Sequence, residues 1–387
     1  MPWVSKSAKR SPWLSGIRAL PAGLSHRPLF FITLALSFFG LLMIYSSSAI
    51  LGMQKYGDAF YFVKRQGAFL AIGWGLYFVV AQLSLIRISR YRLFFLLPSL
   101  ALLLMVLFPG LGVSAGGARR WINIGFTKFQ PSELVRFFLV MYLAGTLAFR
   151  KERLASFNRG FLPLLIVTSV LMFLLIAQPD FGGAMSILII SLAMWFIGGV
   201  PLSYLGGLCI LSVPAVIFIL FQAQYRAQRV MTFLHPWKEP QGAGFQIIQS
   251  FLAFYEGGWT GVGLGNSTQK LFYLPEAHTD FIFSVIGEEL GVLGLIAVVA
   301  LFVGLLVCGA KIARSQASSV GYFLATGLTV FFCLPALFNM MVTLGMLPTK
   351  GLPLPFFSYG GSSMVVSMIA LGALQALYRR RDEEDYL

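Results

Sequence analysis

Charge is scarce in this chain of 387 residues: only 11% of the residues are charged, whereas 58% are hydrophobic. The mean hydropathy is correspondingly high, at +0.81. A water-soluble protein of this length needs far more charged surface than this composition supplies. The composition therefore excludes a soluble globular enzyme and indicates that most of the chain lies in lipid.

Cysteine and histidine are scarce as well, with three of each. The cysteines all fall inside apolar stretches, which argues against a disulfide framework. The histidines lie too far apart in the sequence to predict a metal cluster. The residues are Cys209, Cys308 and Cys333, and His26, His235 and His278. We therefore expect no metal site built from these side chains.

Long apolar runs dominate the remaining sequence. A membrane-spanning helix needs about 20 apolar residues, and it satisfies its backbone hydrogen bonds internally. Such runs lie near 30–52, 66–84, 93–109, 133–149, 161–177, 181–198, 203–222, 281–308, 320–345 and 359–378. The sequence therefore predicts an all-α, polytopic integral membrane protein with about ten transmembrane helices.

The basic residues predict which side of the membrane each segment faces. The net charge is +15, but no hydrophilic segment is long enough to form a nucleic-acid-binding domain. With the N-terminus inside, 17 of the 29 basic residues are cytoplasmic, as the positive-inside rule expects. We therefore predict a retained cytoplasmic tail (1–28), a ten-helix membrane domain (29–378) and a cytoplasmic C-terminal tail (379–387).

One segment between predicted spans is much longer than the others. It covers residues 223–280 and faces the outer side in the predicted topology. Apolar and aromatic residues between Phe245 and Tyr255 alternate with polar neighbours. This pattern suits an amphipathic helix that lies in the membrane interface. Packing of the same residues as the core of a loop explains the pattern equally well.

Carboxylates gather on the outer side, at the starts of predicted helices. Glu133 and Asp180 each follow a Gln-Pro pair, and Asp280 follows His278-Thr279. Acids at these positions could simply cap helices, because they complement the helix dipole. Polar groups crowd most closely around Asp280, which could serve as a general base. His278 could tune that acid, contact a substrate or form an ordinary loop hydrogen bond.

Cations on the outer side supply the second half of a possible site. The residues are Arg120, Lys128, Lys270 and Lys350, and the positive-inside rule does not favour basic residues there. Arginine and lysine side chains bind phosphate and pyrophosphate well. Contact with lipid headgroups would explain the outer-side position of any one of these cations nearly as well as phosphate binding does.

Several ordered motifs together resemble one protein family. The motifs are Gly117-Ala118-Arg119-Arg120-Trp121, Gln130-Pro131-Ser132-Glu133, Gln178-Pro179-Asp180-Phe181-Gly182, the stretch Gly261–Glu289, and Pro353–Ser363. They resemble the SEDS proteins (shape, elongation, division and sporulation) from the first predicted helix to the tenth. The stretches Gln269–His278 and Leu347–Gly351 are more similar to the division-type than to the elongation-type members.

The resemblance implies the SEDS fold and a peptidoglycan glycosyltransferase that works in septal cell-wall synthesis. Its implied substrate is lipid II, the undecaprenyl-pyrophosphate-linked disaccharide peptide, which is polymerised at the periplasmic membrane face. The implied partners are a class B penicillin-binding protein transpeptidase and other divisome proteins, with no nucleic acid. The resemblance also implies that Asp280 is the catalytic residue, and it links Arg120 and Lys128 to the outer cavity.

The expected chemistry needs one base and several cations. Because pyrophosphate leaves readily, no second carboxylate is required to protonate the leaving group. A divalent cation, magnesium or manganese, could assist, and no other cofactor is expected. Further candidates for substrate contact are Glu133, Asp180, Lys270, His278 and Lys350. The alternatives are a lipid II flippase, an elongation-type polymerase and a scaffold for division enzymes.

Overall fold

The computed structural model describes residues 27–89, 91–108, 110–115, 118–125, 127–221, 231–238, 240, 242, 244–270, 277–348 and 351–380. In chain order its helices are α1 (Arg27–Tyr56), α2 (Tyr61–Val80), α3 (Leu85–Ser89), α4 (Leu96–Leu107), α5 (Pro131–Phe149), α6 (Leu162–Ala177), α7 (Phe181–Gly198), α8 (Leu202–Phe221), α9 (Phe245–Gly257), α10 (Ile282–Arg314), α11 (Ser319–Thr343) and α12 (Gly361–Arg379). Each predicted apolar run coincides with one of these helices, which confirms the all-α membrane architecture. Residues 1–26, Lys350 and residues 381–387 lie outside the described part.

Seven described helices are long and apolar enough to cross a membrane. They are Pro28–Tyr56, Pro131–Phe149, Phe157–Ala177, Phe181–Gly198, Ile282–Arg314, Ser319–Thr343 and Gly361–Arg379. The helices α2, α4 and α8 are outside that set. Of these, α4 has 12 residues, and α2 contains Lys64 and Arg65. The total of ten spans therefore stays a prediction.

The bundle is tied together by direct packing between helices distant in sequence. Helix α12 packs along α2, while α11 packs against both α5 and α10. The largest side chains in the core include Trp195, Tyr77 and Phe332, which are fully buried. The first and last helices of the bundle are therefore joined to its centre, and this fixes the positions of the helix ends that carry the polar residues.

A small sheet, which the all-α prediction did not include, precedes α5. Its strands are β1 (Gly112–Ala115), β2 (Ala118–Asn123) and β3 (Lys128–Phe129), paired antiparallel in the order β1-β2-β3. Val113 pairs with Trp121 and Ser114 pairs with Arg119, so Arg120 is an extra residue on β2. Such a bulge bends the strand locally and re-aims the side chains beside it.

The long segment between α8 and α10 contains the helix α9, which was one of the two interpretations that the sequence left open. One face of α9 packs against α10, where the hydroxyls of Ser250 and Ser284 lie 2.6 Å apart. The Ser250 hydroxyl also donates to the carbonyl of Thr343 at 2.6 Å. On the other face, Tyr255 is 85% exposed. The helix therefore has one packed and one exposed face, and its position in the membrane interface stays a prediction.

Helix α10 is broken at Gly291, whose φ of 64° and ψ of −164° are not helical. The freed amides are satisfied by the preceding loop, because Val292 donates to Gly258 at 3.0 Å and Leu293 donates to Trp259 at 3.3 Å. A Cβ at Gly291 would lie 2.5 Å from the Gly261 nitrogen and from the carbonyl of Trp259. The break therefore requires glycine both for its conformation and for space.

Gly291→Ala is expected to destabilise the protein by about 1–3 kcal/mol, because it adds strain and forces the loop away. The measurement is the thermal unfolding temperature of the purified protein in detergent. Gly75→Ala in α2 is the matched control, since nothing lies within 4 Å of its added Cβ. Equal unfolding temperatures for the two variants would contradict the proposed role of Gly291.

Candidate active site

Four helix starts meet at one end of the bundle: those of α5, α7, α10 and α12. At the start of α12, the Ser362 hydroxyl accepts from the backbone N–H of Gln130, which precedes α5, at 3.0 Å. The Gln130 side chain donates to Asp180, which precedes α7, at 3.5 Å. The backbone N–H of Tyr359 donates to the His278 carbonyl, just before α10, at 2.9 Å. The start of α12 and the residue Tyr359 before it therefore contact the starts of α5 and α10, and Gln130 extends the connection to α7.

Asp180 is both a helix cap and the partner of a cation. It is the N-cap of α7, where one carboxylate oxygen accepts from the N–H of Gly183 at 3.0 Å. The same oxygen lies 3.9 Å from Nη1 of Arg120, and Asp180 is 2% exposed. The capping interpretation is thus correct for Asp180. Its ion pair with Arg120 additionally holds the guanidinium at the meeting point of the helices.

Arg120 keeps binding capacity beyond this ion pair. Its side chain is 36% exposed, and its Nε atom is buried without a hydrogen-bond partner among the described residues. Lys128 lies nearby in the sheet, since Asn123 pairs with Lys128 across β2 and β3, and its side chain is exposed. The sheet therefore presents two cations on the side of the bundle where the helix starts meet.

Glu133 is engaged within its own helix. Its carboxylate forms a buried ion pair with Arg136, one turn further along α5. Arg136 also donates to the Ser186 hydroxyl at 3.4 Å and lies 5.5 Å from the ring centre of Phe331. Substrate contact by Glu133 stays a prediction that this geometry does not favour. The spacing of three residues between Glu133 and Arg136 was a sequence signal for the pair, and the sequence-based hypothesis missed it.

Asp280 lies just before α10 and is half-buried. The N-cap of that helix is Phe281, so Asp280 is not the capping residue. The carbonyl of Asp280 accepts from the Asn339 side chain at 2.8 Å. A Cβ placed on Gly351 would lie 3.2 Å from Oδ2 of Asp280. The carboxylate of Asp280 therefore lies against the backbone of Gly351, which has no side chain.

The backbone just before Asp280 is held by the segment before α12. The Ser358 hydroxyl donates to the Thr279 carbonyl at 2.6 Å. The His278 ring packs against aromatic rings, with centroids 5.3 Å from that of Phe62 and 6.2 Å from that of Tyr359. Burial raises the pKa of Tyr359 above its ordinary value of 10.0, although Arg65 opposes the shift. Tyr359 is therefore neutral at physiological pH and serves as packing around His278.

Lys270 is not at the surface. Its side chain is 4% exposed, and its ammonium pairs with Glu289 of α10 at 2.8 Å. The Ser46 hydroxyl of α1 donates to the same carboxylate at 2.6 Å. Substrate contact by Lys270 is a prediction that this burial does not favour. The ion pair instead joins α1, α10 and the segment between α9 and α10.

Glu288, the neighbour of Glu289, is also fully buried. It accepts from the backbone N–H groups of Thr268 and Gln269, at 2.6 and 3.3 Å, and from the Ser267 hydroxyl. The two glutamates thus hold residues 267–270 through hydrogen bonds and an ion pair. The sequence analysis did not predict this role.

The predicted site residues divide into two groups that the start of α12 connects. Arg120 and Asp180 form one group with Gln130, while Asp280 and His278 form the other. Glu133 and Lys270 are used in buried ion pairs. In the described part of the chain, no three His, Cys, Asp or Glu side chains form a metal-binding group. The divalent cation therefore stays a prediction, and no step below uses it.

Comparison with known proteins identifies relatives over nearly the whole chain. The FtsW/RodA/SpoVE family model, described as "Cell cycle protein", matches residues 27–383. The probable peptidoglycan glycosyltransferase FtsW of Geobacter sulfurreducens is 41% identical over 343 residues, which cover 89% of this chain and 92% of that protein. The probable peptidoglycan glycosyltransferase FtsW of Halorhodospira halophila is 42% identical over 371 residues, covering 95% and 92%.

Solved structures with the same fold are also similar in sequence. One is a chain from a study of how a peptidoglycan synthase complex coordinates polymerization and crosslinking. It has a TM-score of 0.76 and 29% identity, and the match covers 92% of this chain and 98% of that one. The rod shape determining protein RodA of Thermus thermophilus has a TM-score of 0.67 and 26% identity, covering 92% and 97%.

These findings confirm the family resemblance that the motifs indicated. The relatives with about 41% identity are FtsW proteins, which agrees with the division-type pattern at Gln269–His278. The apolar helices and the family together establish a multi-pass membrane protein. The chain therefore belongs to the FtsW/RodA/SpoVE family of cell cycle proteins, the SEDS proteins.

Proposed function

We propose that this chain is a peptidoglycan glycosyltransferase that polymerises lipid II at the periplasmic membrane face during septal cell-wall synthesis. The observation that carries the proposal is the meeting of four helix starts, in which the start of α12 and the residues before it connect the group at Asp280 with the Arg120–Asp180 pair. The FtsW relatives support the same activity, since they are probable peptidoglycan glycosyltransferases.

Asp280 acts as the general base in this proposal. The 4-hydroxyl of the acceptor sugar attacks the anomeric carbon of the donor sugar, and Asp280 accepts the hydroxyl proton. The new glycosidic bond forms as the bond from the anomeric carbon to the pyrophosphate oxygen breaks, so undecaprenyl pyrophosphate leaves with that electron pair. A positioned base contributes about 10²–10⁴-fold to such a step.

Arg120 and Lys128 stabilise the leaving pyrophosphate. Arg120 is partly exposed and holds an unpartnered Nε, while Asp180 fixes one edge of its guanidinium. Preorganised cations lower the barrier because they face the charge that develops on the leaving group. His278 and Lys350, which precedes Gly351 in the sequence, are further candidates for substrate contact.

Arg120→Ala is expected to lower kcat/KM for lipid II by about 10–100-fold, since a hydrogen bond to a charged group contributes roughly 1.5–3 kcal/mol. The measurement is the initial rate of glycan synthesis as lipid II is varied. Arg119→Ala is the matched control, because Arg119 pairs in register with Ser114 and is exposed beside the bulge. Wild-type kcat/KM in the Arg120 variant, or an equal loss in the Arg119 variant, would contradict this role.

The proposed partner is a class B penicillin-binding protein transpeptidase that works with other divisome proteins. Support comes from the similarity to a chain of a peptidoglycan synthase complex that coordinates polymerization and crosslinking. The proposed location is the inner membrane at the septum, with both termini in the cytoplasm. This orientation puts the ends of α1, α4, α6, α8 and α11, and the starts of α2, α5, α7, α10 and α12, on the periplasmic side.

The experiment is polymerisation of purified lipid II by the chain co-purified with its penicillin-binding partner. Glycan strands resolved on a gel, formed while the transpeptidase is blocked by a β-lactam, are the expected result. An intact complex that binds lipid II and makes no glycan would contradict the proposal and favour the flippase or scaffold alternative. Lipid II transfer between vesicle leaflets separates those two.

A further inference from the structure

One buried amide, that of Asn339 on α11, connects the backbone at Asp280 to the loop before α12. Its Nδ2 donates to the carbonyl of Asp280 at 2.8 Å and to the carbonyl of Leu352 at 2.7 Å. Asn339 is 2% exposed. Because only an NH₂ group can donate to two carbonyl oxygens, the orientation of the amide is determined by its partners.

The two carbonyls belong to segments that face each other at the Asp280 carboxylate. Leu352 directly follows Gly351, whose φ of +65° lies in the left-handed region. A Cβ on Gly351 would be 3.2 Å from Oδ2 of Asp280, and Gly351 is exposed. The Asn339 amide therefore sets the separation between the Asp280 carboxylate and the backbone of Gly351.

Burying the Asn339 amide has an energetic cost, which indicates that the two hydrogen bonds donated by its Nδ2 are important. The Oδ1 atom of Asn339 is buried and has no hydrogen-bond partner among the described residues. An unpaired buried acceptor lowers stability. A residue chosen for packing alone would be apolar at this position, as are its buried neighbours Ala336 and Met340 on α11.

We propose that Asn339 is a positioning residue for glycosyl transfer, and that it acts by fixing the backbone of Asp280 against Gly351. The inference rests on the proposed function, in which Asp280 accepts the proton of the acceptor hydroxyl. Proton transfer in the transition state depends on the position of the base, so that a displacement of about 1 Å can cost about 100-fold in rate. Substrate binding by the cations on the sheet does not depend on this amide.

The test compares Asn339→Asp with Asn339→Ala in the complex with the penicillin-binding partner. The aspartate variant keeps the shape of the side chain but replaces the donor with an oxygen that faces two carbonyls. The alanine variant removes the side chain and introduces no repulsion. Both are expected to lower kcat by about 10–100-fold while the KM for lipid II changes by less than about twofold.

The control is Asn266→Asp, which introduces the same charge on the outer side. Asn266 donates to the Val262 carbonyl at 3.1 Å and is exposed, so wild-type kinetics are expected. Each variant is also measured for lipid II binding in the Asp280→Asn background and for unfolding temperature. A structural role alone would lower lipid II binding and the folded fraction together, whereas a positioning role lowers kcat per folded molecule.

The outcomes separate the two proposals. Wild-type kcat in both Asn339 variants, with loss of activity in Asp280→Asn, would overturn the positioning role alone. A fall in kcat that disappears after correction for the folded fraction would overturn it as well. Absence of glycan from the wild-type complex, with lipid II bound, would overturn the proposed function and this inference together.

Discussion

Asp280→Asn is expected to lower the rate of lipid II polymerisation by about 10²–10⁴-fold, because asparagine cannot accept the proton of the acceptor hydroxyl. Asparagine has nearly the same size and shape as aspartate. The substitution also leaves intact the backbone carbonyl of residue 280, which accepts from the Asn339 amide. The variant is therefore expected to fold, to insert into the membrane and to bind its partner as the wild type does. The measurement is the initial rate of glycan synthesis.

The matched control for this variant is Asp58→Asn. Asp58 lies between α1 and α2, and its carboxylate accepts from the N–H of Phe60 at 2.9 Å and from Lys64 at 2.7 Å. Both interactions lower the pKa of Asp58, with the Lys64 hydrogen bond as the main cause. This variant is expected to keep wild-type activity. Equal activity of the wild type and Asp280→Asn would refute the general-base role.

Lys270→Met is expected to destabilise the protein by about 3–5 kcal/mol, because it leaves the buried Glu289 carboxylate without a counter-ion. Both side chains are almost fully buried, and Ser46 supplies the remaining hydrogen bonds to Glu289. The measurement is the unfolding temperature in detergent. The double variant Lys270→Met/Glu289→Gln is expected to recover most of the loss, since it contains no unpaired buried charge.

An exposed ion pair of the same chemistry provides the comparison. Lys64 and Asp58 lie 2.7 Å apart, close to the 2.8 Å between Lys270 and Glu289, but the Lys64 side chain is 69% exposed. Lys64→Met is expected to change the unfolding temperature little, because solvent screens that pair. If the double variant folds but its KM for lipid II rises sharply, Lys270 contacts substrate as the sequence first suggested.

The sequence predicted the helices and the polar helix starts well, because both depend on local composition. Apolar runs specify membrane helices directly, and acids after proline or threonine indicate where helices begin. The predicted run 181–198 and helix Phe181–Gly198 agree at both ends. Asp180 at the start of that helix is its N-cap, which agrees with the interpretation of this acid as a helix cap.

The sequence could not predict which helix starts meet. The bond between Gln130 and Ser362 joins residues 232 positions apart, and the bond between Ser46 and Glu289 joins residues 243 apart. Pairings of this kind follow from helix packing, which a single sequence does not specify. Lys270 shows the consequence, because its position in an outer segment suggested a surface cation, whereas packing buries it against Glu289.

The bulge at Arg120 is a second feature that local reasoning missed. Two neighbouring arginines, Arg119 and Arg120, have the same chemistry, and only the register of β1 and β2 distinguishes them. The register places Arg119 opposite Ser114 and leaves Arg120 as the extra residue, which pairs with Asp180. The choice between the two arginines therefore depends on strand pairing, not on composition.

In the proposed function, the site polymerises lipid II at the periplasmic face and releases undecaprenyl pyrophosphate there. The most direct measurement uses the complex in oriented vesicles that carry lipid II only in the leaflet corresponding to the periplasmic face. We expect glycan strands and undecaprenyl pyrophosphate in that leaflet from the wild type, and neither product from Asp280→Asn. Lipid II that moves to the opposite leaflet without forming glycan would contradict the proposed function.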